Sequence, residues 1–263
     1  MVKARRMAGA GPRAGLLKGR LEELLGVLPA EARDALHGMW RREMVAEGRV
    51  LAEEGAVPAR VGFLVSGMLG MVKRLPDGRR HIIGLLVPGD MYGFPPEGRP
   101  GYRLEALAAS QVMSCGRAGF EALLAGAPQA EQRFIANMLD ELDAAREWML
   151  LLGGQKVTQR LAGLLLILAR GASRGSGGAL NLRLALRRAE LAQYLGTRPE
   201  TLSRAFRDLE SRGLVRRNDP YDLDILDLAG LAGACGQDIA LARRGRGTEE
   251  AGASSGRRMP DHP

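Results

Sequence analysis

The chain has 263 residues, 46% of them hydrophobic, which is enough for two domains that each bury a core. It carries 38 basic and 30 acidic residues for a formal net charge of +8, and its two cysteines and three histidines are too few for a disulfide framework or an ordinary four-ligand zinc site. The densest apolar run, LAGLLLILA at 161–169, is roughly half of the ~20 residues that a membrane span needs, and the basic N-terminus lacks the apolar stretch of a secretory signal. We therefore expect a cytoplasmic protein that does not contact a membrane.

The charge is unevenly distributed along the chain. Residues 21–154 carry 14 basic and 18 acidic side chains, whereas residues 155–235 carry 13 basic and 8 acidic ones. A basic C-terminal region beside an acidic N-terminal one is typical of a protein in which one domain meets phosphate and the other does not. The alternative is that arginine is simply favoured by a high-GC genome, so charge alone does not decide the question.

The predicted elements begin after a tail rich in glycine, alanine and arginine. Residues 1–18 show no periodicity and are predicted to be disordered, as is the similar stretch 236–263. From about 19 to 46, apolar residues recur three and four apart, which predicts helix. Over residues 49–118, short apolar runs such as VGFLVSG, MLGMVKRL and HIIGLLV alternate with turn signals such as PDGR and VPGD. This rhythm predicts a small antiparallel barrel or sandwich, and residues 19–128 are assigned to a β-barrel domain with flanking helices.

A long helix is predicted over 129–153, opened by Pro128. Six of its apolar residues are spaced 3, 4, 3, 4, 3, as along one seam of a coiled coil: Ile135, Met138, Leu142, Ala145, Met149 and Leu152. Phe134, Trp148 and Leu151 form a second apolar flank, so one flank can face the chain's own barrel while the seam faces a second copy. This predicts a homodimer. The alternative is a helix packed only on its own barrel, because the seam is shorter than the three to four heptads that define a coiled coil.

The region 154–235 is predicted to contain two short helices joined by a tight turn. A helix over about 156–169 precedes them, and RRAELAQYLG then predicts the first short helix, with Leu191 and Leu195 facing inward. Gly196 permits a sharp turn that a residue with a Cβ would resist.

The second short helix is predicted to begin in the sequence GTRPE. Thr197 is expected to be its N-cap, with Pro199 in the first turn and Glu200 completing a capping box. Leu202, Phe206 and Leu209 form its buried stripe. The opposite face carries polar residues only: Glu200, Ser203, Arg204 and Arg207.

Two short helices with a glycine-containing turn and a polar outer face are typical of a helix-turn-helix, whose second helix enters the DNA major groove. Arginine pairs in bidentate fashion with guanine, and a glutamate accepts from an exocyclic amine, so Glu200, Ser203 and Arg204 are candidate base readers. The run GLVRRNDPYDLDIL predicts a two-stranded wing. Candidate contacts to the DNA backbone are Thr197, Arg198, Arg207, Arg216 and Arg217. The alternative is a solvated helix face in which Glu200 serves only as a cap.

These stretches together resemble the Crp/Fnr family of bacterial transcription regulators over roughly residues 20–235. FLVSGMLGMVKRLPDGRRHIIGLLVPGDMYGF is similar to the barrel of the Fnr and FixK branch, and YLGTRPETLSRAFRDLESRGLV to its recognition unit. The resemblance implies an α+β fold with a cyclic-nucleotide-binding-like β-barrel (a double-stranded β-helix or jelly roll), a dimerisation helix at 129–153 and a C-terminal winged helix-turn-helix. It implies that the run E-x-x-S-R reads a palindromic site with TTGAT-like half-sites. Double-stranded DNA and RNA polymerase are then the expected partners.

Two departures from the family pattern bear on effectors. Members that bind cyclic nucleotides carry an arginine and a hydroxyl residue for the phosphate, but Ala108 and Ala109 fall about where these would sit, so we do not expect cAMP dependence. Oxygen-sensing members hold an iron–sulfur cluster on N-terminal cysteines and one barrel cysteine; Cys115 stands at the barrel position, but the N-terminal tail contains no cysteine. Cys115 is then a buried apolar filler or a redox-reactive thiol. We expect no bound cofactor and no metal.

Two alternative functions are a regulator gated by a ligand or haem and an enzyme. A ligand-gated or haem-gated Crp-type regulator would need a small molecule before it binds DNA, and His37 and His81 are the candidate axial ligands for haem. An enzyme would need converging catalytic groups, but the sequence has no Gly-rich phosphate loop, no G-x-S-x-G and no H-E-x-x-H, so we do not expect an enzyme.

Overall fold

The computed structural model describes residue 26 and residues 28–93, 99–169, 173–174 and 179–236. The predicted disordered stretches 1–18 and 236–263 lie outside these described residues, apart from residue 236. No helix in the described part of the chain is long and apolar enough to cross a bilayer.

The first domain is a sandwich of two antiparallel four-stranded sheets, preceded by helix α1 (Ala30–Met39). One sheet contains, in spatial order, β1 (Arg41–Val45), β8 (Ser110–Gly116), β3 (Arg60–Ser66) and β6 (Met91–Tyr92). The other contains β2 (Val50–Ala52), β7 (Arg103–Ala106), β4 (Leu69–Arg74) and β5 (Arg80–Leu86). The predicted jelly-roll-like β-domain is therefore confirmed.

Two of the apolar runs singled out in the sequence, VGFLVSG and MLGMVKRL, form the inner strands β3 and β4, whereas HIIGLLV forms the edge strand β5. Val61, Phe63 and Leu64 of β3 are buried, and so are Leu69 and Val72 of β4. The predicted PDGR turn closes the β4–β5 hairpin through a hydrogen bond of 2.9 Å from the Leu75 N–H to the Arg79 carbonyl. The sequence pattern of two apolar runs separated by turn residues therefore predicted this hairpin correctly.

The helix predicted over 19–46 is wrong at its C-terminal end. Residues 41–45 form β1, which pairs with β8 from Arg41 opposite Ser114 to Val45 opposite Ser110. The apolar spacing in RREMV fits either state, and the backbone groups of β8 offer this segment a full hydrogen-bonded ladder. Pairing with a distant strand therefore overrides the local periodicity.

Helices connect this domain to the next. Helix α2 (Arg117–Ala125) is followed by the long helix α3 (Pro128–Gly154), close to the predicted 129–153. Phe134 of α3 is buried and meets Phe120 of α2 edge to face, with ring centroids 5.8 Å apart. The first turns of α3 are therefore fixed to the β-domain.

The C-terminal domain is a winged helix-turn-helix. Its elements are α4 (Val157–Ala169), β9 (Ser173–Arg174), β10 (Leu180–Arg183), α5 (Arg188–Tyr194), α6 (Pro199–Ser211), β11 (Val215–Arg217), β12 (Asp222–Ile225) and α7 (Leu228–Ala234). The strands form one antiparallel sheet in the order β11-β12-β10-β9. Leucines of α4, α5 and α6 form one buried cluster with Phe206, and this cluster continues into the β-domain through Met68, Val72, Ile82, Val87 and Leu107.

The two domains of the chain contact each other through the β4–β5 hairpin and α5. Arg80 of β5 pairs with Glu105 of β7 and, across the junction, with Glu190 of α5. Close by, the Nε2 atoms of His81 and Gln193 are 3.1 Å apart. The β-domain therefore touches the first helix of the helix-turn-helix directly.

Candidate DNA-binding site

Helix α6 is held in place by one apolar stripe. Leu202, Ala205, Phe206 and Leu209 are buried at positions three and four apart, so this side of the helix lies in the domain core. Pro199 occupies the first turn, where its missing N–H costs nothing. The rest of the helix surface must then face outward.

The outward face of α6 carries the residues that the sequence singled out. Glu200, Arg204 and Arg207 are exposed, and none of them has an ion-pair partner in the part of the chain that the structure describes. The Ser203 hydroxyl donates to the Pro199 carbonyl at 2.8 Å, which leaves its oxygen lone pairs free to accept. Spacing of 3, 1 and 3 residues places these four side chains on one face, available to an external partner.

The turn before α6 has a left-handed residue at its centre. Gly196 has φ = +61°, a conformation that strains any residue with a Cβ. Arg160 of α4 holds this turn, because its Nη1 donates to the Leu195 carbonyl at 3.0 Å while its Nε donates to the Gln155 carbonyl at 3.0 Å. One side chain thus ties the turn to the start of the domain and fixes the approach of α6.

The predicted capping box at Thr197 is wrong. The N-cap of α6 is Arg198, with an extended backbone and no capping hydrogen bond from its side chain. The Thr197 N–H instead donates to the Ala192 carbonyl at 2.9 Å, so Thr197 completes the turn after α5. One half of a capping box occurs one helix earlier, where the Glu190 side chain accepts from the Arg187 N–H at 3.1 Å; the Arg187 guanidinium cannot accept the reciprocal hydrogen bond. A glutamate three residues after the N-cap, as in RRAE at 187–190, is the sequence pattern that indicates this hydrogen bond.

The wing, defined as residues 215–225, is a tight hairpin next to α6. Asp219 closes its turn by accepting from the Tyr221 and Asp222 N–H groups at 2.6 and 2.8 Å, which lowers the pKa of the Asp219 carboxyl. Arg216 donates to Asp224 at 2.8 Å, and the Arg217 side chain forms two hydrogen bonds to Glu210 of α6. The two wing arginines predicted to contact phosphate are therefore both engaged by carboxylates of their own chain.

The predicted seam of α3 lies mainly at the surface. Ile135, Leu142 and Met149 are 50%, 45% and 61% exposed, and Ala145 is exposed as well. Met138 and Leu152 are half-buried, and Met138 packs on the core beneath Phe134. Leu139, which the heptad spacing left out, is also largely exposed.

The second flank of α3 faces the chain's own domains, as predicted for two of its members. Phe134 is buried against the β-domain, and Trp148 stacks on Tyr194 of α5. The side chain of Leu151 lies outside the described part of the structure. Helix α3 thus presents one apolar face to its own chain and one to solvent.

The β-domain contains a small apolar cavity of about 90 Å³. Every described residue that lines it is uncharged, including Met71, Met91, Met138, Tyr92 and Tyr102. Ala108 and Ala109 do not line it; they border a separate cleft between the β-domain and β10. Arg103 pairs with Glu53 at 3.5 Å, outside the cavity.

The cysteines and histidines are dispersed. Cys115 is 1% exposed, and burial raises the pKa of its thiol to about 11. Cys235 is also buried, beside the Gln159 carbonyl. His37 is exposed on α1, far in sequence from His81 at the domain junction. Among the described residues, no three His, Cys, Asp or Glu side chains come together as a metal site requires.

A jelly-roll domain, a long connecting helix and a winged helix-turn-helix with an exposed polar recognition face define a two-domain DNA-binding regulator. Residues 42–126 match the model of the cyclic nucleotide-binding domain, and residues 159–234 match that of the Crp-like helix-turn-helix domain. The chain belongs to the Crp/Fnr family of transcription regulators.

Two relatives cover most of the chain. The transcriptional activator protein FnrL of Cereibacter sphaeroides is 36% identical over 184 residues, which are 68% of this chain and 73% of the relative. The nitrogen fixation regulation protein FixK of Bradyrhizobium diazoefficiens is 31% identical over 186 residues, 71% of this chain and 78% of the relative. The structure of FixK2 from Bradyrhizobium japonicum superposes with a TM-score of 0.65 at 25% identity and covers 74% of this chain and 96% of that one. The chain is a DNA-binding transcription regulator of the FnrL and FixK type, not an enzyme.

Proposed function

We propose that this regulator binds, as a homodimer, a palindromic DNA site with two TTGAT-like half-sites. The observation that carries the proposal is the outward face of α6, where Glu200, Ser203 and Arg204 stand side by side without ion-pair partners in the described chain. Arg204 pairs with the guanine of the half-site through O6 and N7, and Glu200 accepts from an exocyclic amine of a neighbouring base. Ser203 contacts an adjacent base or phosphate.

Phosphate contacts position this helix in the groove. Arg198 and Arg207 flank the base-reading residues and are exposed without a carboxylate partner in the described part of the chain, so both can neutralise phosphate. Thr197 lies at the turn next to the helix N-terminus and contributes its hydroxyl. These contacts add affinity for any DNA sequence and carry no sequence information themselves.

The dimer forms along the solvent-facing seam of α3. Ile135, Leu142 and Met149 are large apolar side chains at helical spacing, and their exposure is unusual for a helix of a monomeric protein. Pairing two copies buries this face and places the two recognition helices about one turn of DNA apart, as a palindrome requires.

DNA binding does not depend on a cyclic nucleotide. A bound cyclic phosphate needs a cation nearby, because an isolated charge is costly to bury. The described lining of the β-domain cavity supplies none, and its volume of about 90 Å³ is small for a nucleotide. The relatives FnrL and FixK, named as activators or regulators, support a function in which the DNA-bound dimer contacts RNA polymerase.

Fluorescence anisotropy of the full chain on a labelled duplex tests the proposal. The duplex carries two TTGAT-type half-sites, and a scrambled duplex of equal length at the same salt is the control, since affinity varies steeply with salt. We expect selective binding by at least ~10³-fold, unchanged by added cAMP. Equal binding to both duplexes would refute the proposed site, and a several-fold gain with cAMP would refute effector independence.

Transcription from a promoter with this site tests the activator role. Purified RNA polymerase, the regulator and a template with the two half-sites are expected to yield more transcript than a template with the scrambled site. Equal or lower output from the site-containing template would exclude activation.

A further inference from the structure

Glu210 and Arg217 join the recognition helix α6 to the wing. Glu210 lies in the last turn of α6 and Arg217 ends β11. The Arg217 Nε and Nη2 donate to the two Glu210 carboxylate oxygens at 2.7 and 2.6 Å, and the Arg217 backbone N–H donates to the same carboxylate at 3.2 Å. This is the bidentate geometry in which arginine and carboxylate bind most strongly and with the best defined orientation.

The pair is part of a cluster in which three elements meet at one ring. Phe206, one turn before Glu210 on α6, is fully buried, and the Arg217 guanidinium lies 5.4 Å from its ring centroid. Arg188 of α5 lies 4.3 Å from the same centroid. The hydrogen bonds from Arg217 lower the pKa of the Glu210 carboxyl, so the carboxylate is ionised throughout the neutral range. Helix α5, helix α6 and the wing are therefore connected by packing and by charge at this point.

The geometry of Arg217 differs from that of the arginines that are free to meet DNA. Arg207 projects from the exposed face of α6 without a partner in the described chain. The planar fork of Arg217 is instead filled by Glu210, and its side chain is 30% exposed. A phosphate could reach only the remaining Nη1 edge of this guanidinium unless it displaced the carboxylate, and its attraction to Arg217 is weakened because Glu210 already neutralises the charge.

We propose that Glu210 and Arg217 are positioning residues, which set the angle between the wing and the recognition helix, and that Arg217 is not one of the phosphate-binding cations. This inference rests on the proposed DNA recognition and revises the role expected for Arg217. A wing held at a fixed angle to α6 places the wing backbone and the base-reading side chains on the same DNA segment. Loosening the wing then lowers selectivity for the site more than it lowers general affinity for DNA.

The discriminating variant is Arg217→Lys, with Arg207→Lys as its matched control. Lysine keeps the positive charge for a phosphate but cannot form the two-pronged pair with Glu210. In the positioning role, Arg217→Lys lowers the ratio of site to scrambled-duplex affinity by roughly two- to fivefold, the size expected for a partly exposed ion pair. If Arg217 binds phosphate as a charge, Arg217→Lys and Arg207→Lys leave this ratio alike and near that of the wild type.

Salt dependence provides a second, independent readout. Removal of one phosphate-binding cation changes the slope of log affinity against log salt concentration by about one. Arg207→Ala is expected to reduce the slope on either duplex, whereas Arg217→Ala leaves it unchanged. The exchanged pair Glu210→Arg/Arg217→Glu keeps the net charge of the chain and is expected to restore the selectivity that Arg217→Glu alone loses. A reduced slope for Arg217→Ala, or no rescue by the exchange, would overturn the proposal.

Hydrogen–deuterium exchange of the free protein separates this inference from the proposed DNA site. Arg217→Lys is expected to speed amide exchange in the wing, residues 215–225, while Arg207→Lys leaves it unchanged. If the wild type does not prefer the TTGAT-type duplex, the proposed site fails, but faster wing exchange still supports the positioning role. Unchanged wing exchange in Arg217→Lys refutes the positioning role whatever the DNA result.

Discussion

The indole ring of Trp148 stacks on the phenol ring of Tyr194, with ring centroids 5.2 Å apart and planes 19° from parallel. Trp148 lies near the C-terminal end of α3, and Tyr194 is the last residue of α5. Stacked aromatic pairs contribute beyond the area that they bury, so this contact fixes the long helix against the first helix of the helix-turn-helix. The same helix therefore carries the proposed dimer seam on one face and the DNA-binding domain on another.

Trp148→Ala should loosen the attachment of the DNA-binding domain to the long helix α3. Removal of the indole ring is expected to lower the free energy of unfolding by about 1–2 kcal/mol and to weaken site-specific DNA binding, because the recognition helices lose their fixed spacing in the dimer. Urea unfolding followed by circular dichroism and anisotropy on the palindromic duplex measure the two effects. Trp148→Phe is the control, since it retains a ring that can stack, and a similar loss of DNA binding in both variants would contradict the coupling.

Arg204→Ala is expected to relax sequence specificity at one base pair. An arginine that pairs with guanine contributes about 1–3 kcal/mol of discrimination against other bases at that position. The measurement compares affinities for duplexes in which only the guanine of each half-site is varied. Arg207→Ala is the control and should weaken all duplexes alike. A uniform loss for Arg204→Ala would place Arg204 among the phosphate contacts.

The helices and the turn of the DNA-binding domain could be predicted from the sequence because each depends on the spacing of neighbouring residues. Leu191, Leu195, Leu202, Phe206 and Leu209 are buried as the helical spacing predicted. Gly196 has the positive φ that a tight turn requires. Apolar periodicity and turn chemistry act over a few residues, so they survive without knowledge of the tertiary structure.

Three features could not be predicted from the sequence because they depend on contacts between residues far apart along the chain. Residues 41–45 become a strand only because β8 lies beside them. Arg217 meets Glu210, and Arg80 meets Glu190, through side chains whose proximity no local spacing encodes. The charge distribution shows that arginines are abundant in the C-terminal domain. It does not show which of these arginines form ion pairs with carboxylates of the same chain.

Gly196→Ala should destabilise the helix-turn-helix. The backbone at φ = +61° disfavours a Cβ by about 1–2 kcal/mol, and the added atom would lie 3.4 Å from the Arg160 Nη1 that holds the turn. Thermal unfolding is expected to shift to lower temperature. Gly153→Ala is the matched control because a Cβ there meets nothing within 4 Å, and alanine favours the helix by up to ~1 kcal/mol. Equal shifts in the two variants would contradict this role of the turn.

Stability should fall in acid partly through Asp224. Its pKa is lowered from the usual 3.8, first by the hydrogen bond from Asn181 and next by that from Arg216. A carboxyl whose pKa is lower in the folded state stabilises the fold above its unfolded pKa and loses this contribution as the pH falls through the folded value. The difference in unfolding free energy between the wild type and Asp224→Asn should therefore shrink as the pH falls from about 5 to about 2. A constant difference over this range would exclude the mechanism, and Asn181→Ala should reduce the pH dependence in the same direction.

The thiol of Cys115 is expected to be unreactive in the native protein. It is 1% exposed in the core that contains Phe63 and Phe120, and burial raises its pKa to about 11. At pH 8 only about one molecule in a thousand then carries the reactive thiolate, and reagents cannot reach it without local opening. Cys235 is buried as well, with its pKa also raised to about 11.

Ellman's reagent should therefore label neither thiol within minutes at pH 8 and both in denaturant. Cys115→Ala assigns any labelling that occurs, and peroxide should leave DNA affinity unchanged in both the wild type and this variant. Rapid labelling of Cys115, or a loss of DNA binding on peroxide treatment that Cys115→Ala prevents, would identify it as the redox-reactive thiol instead.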